Sequence, residues 1–449
     1  MATDIRIRCS TATRVAALLA ALAAATAPFS TAPASKHSPV ATGHGMELDA
    51  DEIGLMGNAG HVKDSTKPKV TAYFTLESYG PGDEATLLIL DKAASVSVQI
   101  LRAGAESTET VPSDVMLGTP VTPATPIGPV AGRRALTVAI GSWKSGVYFA
   151  QLTAPGARVG YAPFVLRPAR LGTARVAVVM PTETWQAYNF RDDNGDGSPD
   201  TWYAGWKKLQ ARLHRPFLNR GVPPHWKQYD AAFARWLTST NRNVDYLSDA
   251  ELRNVRDGKT LARAYDLIVF SGHHEYVTTH EYDVVTKYRD LGGNLAFLAA
   301  NNFFWKITIS NGVMTRVAQW RDLGRPEAAL IGVQYRANDR GGHRGPWILR
   351  SGASTTPWLF SHMDLGAGDP LGRGGIEIDA TSPASPKSVK VIAEIPNLYG
   401  PGFTAQMTYY ETPAGAKVFA AGAFSLAGSC WTSDINRLLS NLWPRLATA

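Results

Sequence analysis

The chain has 449 residues, 45% of them hydrophobic and 18% charged, with a formal net charge of +7. This balance excludes a disordered chain and a membrane-embedded one, and the length exceeds what a single core usually organises, so two domains are expected. Positive charge is spread over Lys63 to Lys69, Lys207-Lys208 and Arg212 to Arg220. With no dense basic block or interleaved aromatic stripe, nucleic-acid binding has little support.

Arg6, Arg8 and Arg14 precede an apolar run from Val15 to about Ala27, and Ala32-Pro33-Ala34 follows. The run is shorter than the ~20 residues a spanning helix needs. Residues 1–34 are therefore expected to be a cleaved export signal rather than a membrane-anchoring helix, and the mature protein to be secreted or extracytoplasmic. Removing them takes away three Arg and one Asp, so the charge falls from +7 to +5. No later segment reads as a membrane span. Cys9 leaves with the signal, and Cys430, then alone, is expected to be structural rather than nucleophilic.

Residues 35–68, rich in Gly, Ser, Pro and charge, read as a flexible lead-in. Over 69–170 the pattern is short alternating runs separated by Gly and Pro turns. Strands are expected at Val70 to Thr75, Ala85 to Leu90, Val96 to Leu101, Leu136 to Ile140, Val147 to Leu152 and Tyr161 to Leu166. This predicts an N-terminal β-sandwich of immunoglobulin or fibronectin III type.

Over 171–449 the period changes. Val176 to Met180 reads as a buried strand, Ala231 to Thr238 as a helix, Val244 to Tyr246 as a strand, and Ser248-Asp249-Ala250-Glu251 as a helix start. Leu267 to Ser271 is the next strand. Thr278 and Glu281 have capping-box spacing, Tyr282, Val285 and Tyr288 share a face, and Gly292-Gly293 ends that helix. Asn294 to Ala300 is a further buried strand, Gly375 to Tyr410 is strand-rich, and Lys417 to Gly422 with a helix from Asp434 to Trp443 closes the unit. Strands alternating with helices predict an α/β layered domain with a mainly parallel sheet. No GxGxxG, Walker or G-x-S-x-G motif is present, so nucleotide-binding and serine-hydrolase chemistry lack their usual support.

Ligands bind beyond the carboxyl ends of such strands. There Leu267 to Ser271 delivers Gly272-His273-His274-Glu275-Tyr276, the neighbouring strand delivers Asn301 and Asn302, and Met180 runs into Trp185-Gln186-Ala187-Tyr188-Asn189. Next, Asp192, Asn194, Asp196 and Asp200 alternate as in the first half of a calcium loop, with Gly197 at the turn. The twelfth place holds Tyr203 instead of a bidentate Glu, so a structural Ca²⁺ and a plain Asp-Gly turn both remain open. His273 and Glu275 alone have the makings of a zinc half-site. Trp185, Trp202, Trp206 and Trp226 keep open a non-catalytic protein that binds a polysaccharide or peptide on aromatic faces.

Trp185-Gln186-Ala187-Tyr188-Asn189, Ser271-Gly272-His273-His274-Glu275-Tyr276 and Gly292 to Asn301, in this order and spacing, make the chain from about Val176 to Trp443 resemble the N,N-dimethylformamidase large-subunit family. The resemblance implies an amidohydrolase with a mononuclear Fe³⁺ held by two tyrosinates and a glutamate. By motif, Glu275 is the carboxylate, Tyr188 one phenolate, and Tyr203 the other, with Tyr229 as competitor. His273 and Asn301 fall beside the metal, and Glu411 is matched to a further catalytic glutamate. A small amide is the implied substrate, and a homo-oligomer or a small partner subunit the expected assembly.

Overall fold

The structure, a computed structural model, describes residues 64–104, 112–204, 208–338 and 343–448. The export signal, most of the lead-in, Cys9 and Trp206 lie outside the described residues. In Glu84–Ile89, Ala85, Leu87 and Ile89 are buried while Thr86 is half-exposed, the period-2 signature of a strand with one face on a core. This strand lies between Ala72–Phe74 and Arg134–Ala139 in a three-stranded antiparallel sheet. A six-stranded sheet contains Ser78–Tyr79, Arg158–Leu166, Gly146–Ala154, Ala93–Ala103, Gly118–Pro120 and Thr125–Val130. The inward residues of both sheets, among them Phe74, Leu87, Ile100, Leu152 and Phe164, form one cluster. Three of these strands, Ser78–Tyr79, Gly118–Pro120 and Thr125–Val130, escape a sequence reading because they are short or carry Pro and Gly in place of apolar alternation.

The six-stranded sheet has a second buried face. Along Gly146–Ala154, Tyr148, Ala150 and Leu152 enter the cluster just described, whereas Val147 and Phe149 join the core of the following unit. That unit is built on an eleven-stranded sheet. Asp245–Ser248, Val176–Met180, Leu267–Phe270, Asn294–Phe297 and Lys417–Ala420 are adjacent and parallel in this order. Ala405–Glu411, Lys390–Ile395, Arg344–Leu349, Pro370–Ala380 and Gln334–Asn338 continue it antiparallel, and Ala423–Phe424 pairs with Pro370–Ala380. The sheet is thus mixed, where the periodicity predicted mainly parallel strands. Parallel neighbours need crossovers of a dozen or more residues, and the connections from Gln334 to Lys417 hold only short helical turns.

Alternate residues of the parallel strands enter two cores. Ala177, Val179, Ile268 and Phe270 pack with the helices Asp249–Asn254, Gly258–Ala264 and Thr279–Asp290. Val176, Val178, Met180 and Val269 pack with Ala231–Ser239 and Ser433–Leu446. The capping boxes at Ser248/Glu251 and Thr278/Glu281 both form, and Gly292 takes the left-handed φ of +96° that ends the second helix.

Between the helices and the sandwich lies a buried polar knot. Arg253 donates to both Glu183 and Glu77, the latter from the sandwich, while Thr182 Oγ1 and Glu183 N donate to Asp249. Burial, then the charge of Asp249, pushes the Glu281 carboxyl up to about 8. The folded protein therefore holds a proton there between pH 4.5 and 8 that the unfolded chain has released, and stability falls as pH rises through that window. Glu281→Gln keeps an acceptor for Thr278 N and removes the penalty. It is expected to stabilise the protein at pH 8 by on the order of 2 kcal/mol and to change little at pH 4.5, read by urea unfolding at both pH values. Equal effects at the two pH values would contradict the buried-proton account.

Candidate active site

The carboxyl ends of Val176–Met180, Leu267–Phe270 and Asn294–Phe297 meet at one edge of the sheet. From the first, Pro181 leads into Thr182–Ala187, and Tyr188 caps that helix. From the second come His273, His274 and Glu275, and the chain then passes as Tyr276–Thr278 into a small sheet with Trp305–Ser310, Val313–Gln319 and Gln210–Arg212. Thr184 Oγ1 accepts from Glu275 N at 3.1 Å, while Phe304 N and Trp305 N donate to Glu275 O at 3.0 and 2.9 Å. The backbone of Glu275 is therefore held on one side by the helix Thr182–Ala187 and on the other by the start of the strand Trp305–Ser310.

The Tyr188 and Tyr203 hydroxyls both donate to Glu275 Oε2, at 2.6 and 2.8 Å, with their rings stacked at 4.3 Å between centroids. Tyr203 Oη also meets Tyr276 Oη, and Trp202 Nε1 donates to Tyr276 Oη at 3.1 Å. His273 Nε2 stands 3.5 Å from Glu275 Oε2 and 3.8 Å from Glu377 Oε2. An apolar cluster of Ala187, Phe190, Leu213, Ile307 and Met314 covers the phenols. Burial under it pushes the Glu275 carboxyl up to about 7 in the metal-free protein, against the hydrogen bonds of Tyr188, Tyr203 and Tyr276. The Tyr276 phenol is raised well above its usual range by the same burial and then by Glu275. Burial, then the neighbouring His225 and His274, hold His273 well below the usual imidazole range, so it is neutral at pH 7.

Asn301, at φ 51°, donates its backbone N–H to Asp379 at 2.9 Å. Glu377 and Asp379 sit on Pro370–Ala380, which runs in the same sense as the parallel strands and so reaches the same edge. Ile376, just before Glu377, has a φ of 64°, an outlier for a β-branched residue. Its N–H bonds His343 O and its carbonyl accepts from Tyr399, so the surroundings hold the strain in place. Among the described residues, His273 Nε2 and Asn301 Oδ1 are buried without a hydrogen-bond partner.

The site brings together Tyr188, Tyr203, Glu275, His273 and Asn301. Tyr229 lies a ring further out, stacked on His225, which meets Tyr188 edge-on. Glu411 does not join. Ala405–Glu411 is antiparallel to Lys417–Ala420, pairing Glu411 with Lys417 at the amino edge, and Glu411 there bonds Tyr409 and Arg445 with its side chain 46% exposed. The second glutamate beside His273, after Glu275, is Glu377, which a sequence reading missed. The available signal was two carboxylates alternating in Ile376-Glu377-Ile378-Asp379, an otherwise buried strand.

The side-chain oxygens of the Asp-rich loop bond mostly within the loop. Asp192 accepts from Gly195 N and Gly197 N, Asn194 from Asp196 N, Asp196 from Ser198 N, and Asp200 from Asp193 N and Lys208. These oxygens serve their own turn, and among the described residues no three His, Cys, Asp or Glu side chains are grouped to hold an ion. What pins the loop is Asp193, gripped by the buried Arg215, whose guanidinium also donates to the carbonyls of Gln186, Asn189 and Arg191. Arg215→Met is expected to cost about 3 kcal/mol, read by chemical denaturation, because it removes a buried guanidinium's bonds to three carbonyls around Tyr188 and to Asp193, which keeps its ion pair with Arg191. A loss below 1 kcal/mol would contradict this role.

Trp185, Trp202 and Trp226 are all buried. Trp185 meets Trp226 and Phe217 edge-on, and Trp202 packs on Tyr276, so none offers a free face to a polymer. Cys430 is buried, and its thiol is pushed far up by burial. Among the described residues no helix is long and apolar enough to cross a membrane.

The Tyr188 and Tyr203 phenols and the Glu275 carboxylate thus converge at the carboxyl edge of a mixed α/β sheet. A family model, N,N-dimethylformamidase beta subunit-like, C-terminal, matches residues 132–432, and the chain belongs to this family. The N,N-dimethylformamidase beta subunits of an Alcaligenes species and of Paracoccus aminophilus are 23% and 22% identical over 298 and 302 residues. Each match takes in 54% of this chain and 39% of the relative, so the chain spans well under half the length of the curated relatives it matches. Among solved structures, a Paenibacillus cycloisomaltooligosaccharide glucanotransferase is 12% identical over 55% of this chain and 39% of its own, with a TM-score of 0.16, too low to carry an argument.

Proposed function

We propose that the protein is a metal-dependent amidohydrolase acting on a small amide of the formamide type at a mononuclear Fe³⁺ site. The observation that carries this reading is the convergence of the Tyr188 and Tyr203 hydroxyls on one oxygen of the buried Glu275. Two phenols and a carboxylate are hard anionic donors once deprotonated, which suits a hard trivalent ion better than zinc. The unpartnered His273 Nε2 beside them is the kind of atom an ion's bound ligands would satisfy. Tyr188, Tyr203 and Glu275 would hold the metal, which when bound supplies Lewis acidity toward an amide carbonyl and a water.

This chain's own groups supply the rest. Glu377, buried beside His273, would take a proton from the attacking water and return it to the leaving amine. Neutral His273 and the Asn301 amide are placed to hydrogen-bond the substrate oxygen as charge develops on it. The aromatic and apolar cover over the phenols keeps bulk water out and strengthens these interactions. The products would be a carboxylic acid and an amine. The names of the relatives as beta subunits suggest a partner subunit, and the basic, apolar N-terminus suggests export, for this chain as well.

The test is a visible spectrum with elemental analysis, followed by amine release from formamides. A tyrosinate-to-iron charge-transfer band with about one iron per chain is expected, since zinc and calcium give no such colour. A colourless protein that stays iron-free after reconstitution would end the iron reading. Glu377→Gln is expected to keep iron and colour while kcat falls roughly 10²- to 10⁴-fold. Unchanged kcat in that variant would remove Glu377 from proton transfer.

A further inference from the structure

At the opposite, amino edge of the parallel strands, the sandwich and the α/β unit enclose a cleft of about 300 Å³. Arg102, Trp143 and Lys144 line it from the sandwich, and Asn241, Arg242 and Asn243 from the turn before Asp245–Ser248. Junctions between domains are favoured places for small-ligand sites, and this volume suits one. Asp245 is the acidic residue in the lining, but its carboxylate is already occupied by Gly172 N, Ala174 N and Tyr265 Oη. Among the described residues, Arg102, Lys144 and Arg242 form no ion pair, although Arg102 donates to Ser145 O at 3.2 Å. Three cations thus face one cleft without a counter-charge.

Two of the lining groups are held rigidly. The Arg242 guanidinium lies against the rings of both Trp236 and Trp443, at 5.0 and 5.1 Å from their centroids, and its buried Nε has no hydrogen-bond partner. That fixes a planar fork of the kind that grips a carboxylate bidentately. The Trp143 indole stacks on Tyr148 at 5.5 Å and covers Gly141, where a Cβ would come within 2.5 Å of it. It therefore enters the cleft as a fixed flat wall. The Asn241 and Asn243 side chains, both exposed, make no hydrogen bonds to described residues and remain able to meet hydroxyls.

We propose that this cleft binds a carboxylate carried on a hydroxylated ring, as in a uronic acid, with the charge on Arg242, Arg102 and Lys144 and the ring against Trp143. Neither the iron site nor the amidase reading is needed for this, because cleft and site lie at opposite edges of the sheet.

The test is isothermal titration calorimetry on the full chain, with digalacturonate, neutral digalactose and inorganic phosphate as probes at one ionic strength. Saturable digalacturonate binding is expected, with no measurable digalactose binding. Trp143→Ala and Arg242→Gln should each weaken digalacturonate at least about tenfold, the scale of one lost bidentate contact. Lys144→Gln, at an exposed position, weakens it without risk to folding. Iron content and amide turnover should be unchanged in Lys144→Gln. No saturable digalacturonate binding would overturn the proposal. So would phosphate binding as tightly with Trp143→Ala without effect, since the cleft would then be a plain anion patch.

Discussion

On the proposed Fe³⁺ amidohydrolase reading, Tyr188→Phe is expected to bleach the protein and lower amide turnover by roughly 10³-fold or more, about 4 kcal/mol of transition-state stabilisation. The substitution removes a single oxygen. The phenyl ring can still stack on Tyr203 at 4.3 Å and meet His273 and His225, so the packing at the helix end survives. The lost hydrogen bond to Glu275 costs the fold only about 1 kcal/mol. Metal affinity and colour should collapse because one of three anionic donors is gone. Tyr203→Phe should behave the same way, whereas Tyr229→Phe, a ring removed from Glu275, should keep iron, colour and rate. The measurement is iron stoichiometry, visible absorbance and turnover on the three variants together. A coloured, active Tyr188→Phe protein would overturn the donor set, and a bleached Tyr229→Phe protein would move the second phenolate to Tyr229.

Arg253→Met should be the most destabilising of the side-chain changes away from the site, at about 3–5 kcal/mol at pH 8. Its guanidinium is the cation bonded to both Glu183 and Glu77, and Glu183 is completely buried. Even with Arg253 present, burial and then Glu281 push the Glu183 carboxyl well above the usual range. Without the arginine, Glu183 and Glu281 should hold their protons more tightly still. Groups whose folded pKa is raised stabilise the fold below their unfolded value, near 4.5, and lose that contribution as pH rises through the folded one. The penalty of Arg253→Met should therefore shrink toward pH 5, where Glu183 and Glu281 can sit neutral. Urea unfolding at pH 5 and pH 8 reads this directly. A penalty that is the same at both, or larger at pH 5, would mean that the arginine acts by packing alone. Because Glu77 belongs to the sandwich, the variant should also loosen that unit from the α/β sheet.

Much of the local structure follows from neighbours along the chain. Thr278 with Glu281 and Ser248 with Glu251 announce their helices because a capping box needs only residues three apart. The strand Leu267–Phe270 announces itself by length and composition, and the switch from apolar to His, Glu and Tyr marks its functional end. Glu275, Tyr188 and Asn301 were legible for that reason, each standing just past a buried parallel strand.

Glu411 and Glu377 show where such reading stops. Both stand on strands of the same sheet, and their spacing from Glu275 says nothing of strand direction. Ala405–Glu411 runs against the parallel set and carries its last residue to the far edge, while Pro370–Ala380 runs with it and carries Glu377 to the site. The small sheet that covers the phenols was equally hidden. It pairs Tyr276–Thr278 with Trp305–Ser310, and Gln210–Arg212 with Val313–Gln319, contacts distant in sequence between short strands without clear alternation.

The sequence by itself determined the buried parallel strands, their caps and the donors that follow them, because hydrophobic periodicity and capping act over a few residues. Only the tertiary structure brought the Tyr203 hydroxyl onto Glu275, set Glu377 rather than Glu411 beside His273, and turned the side-chain oxygens of the Asp-rich loop onto its own backbone. Those outcomes depend on strand direction and on which buried groups meet across long loops, and no short-range pattern encodes either.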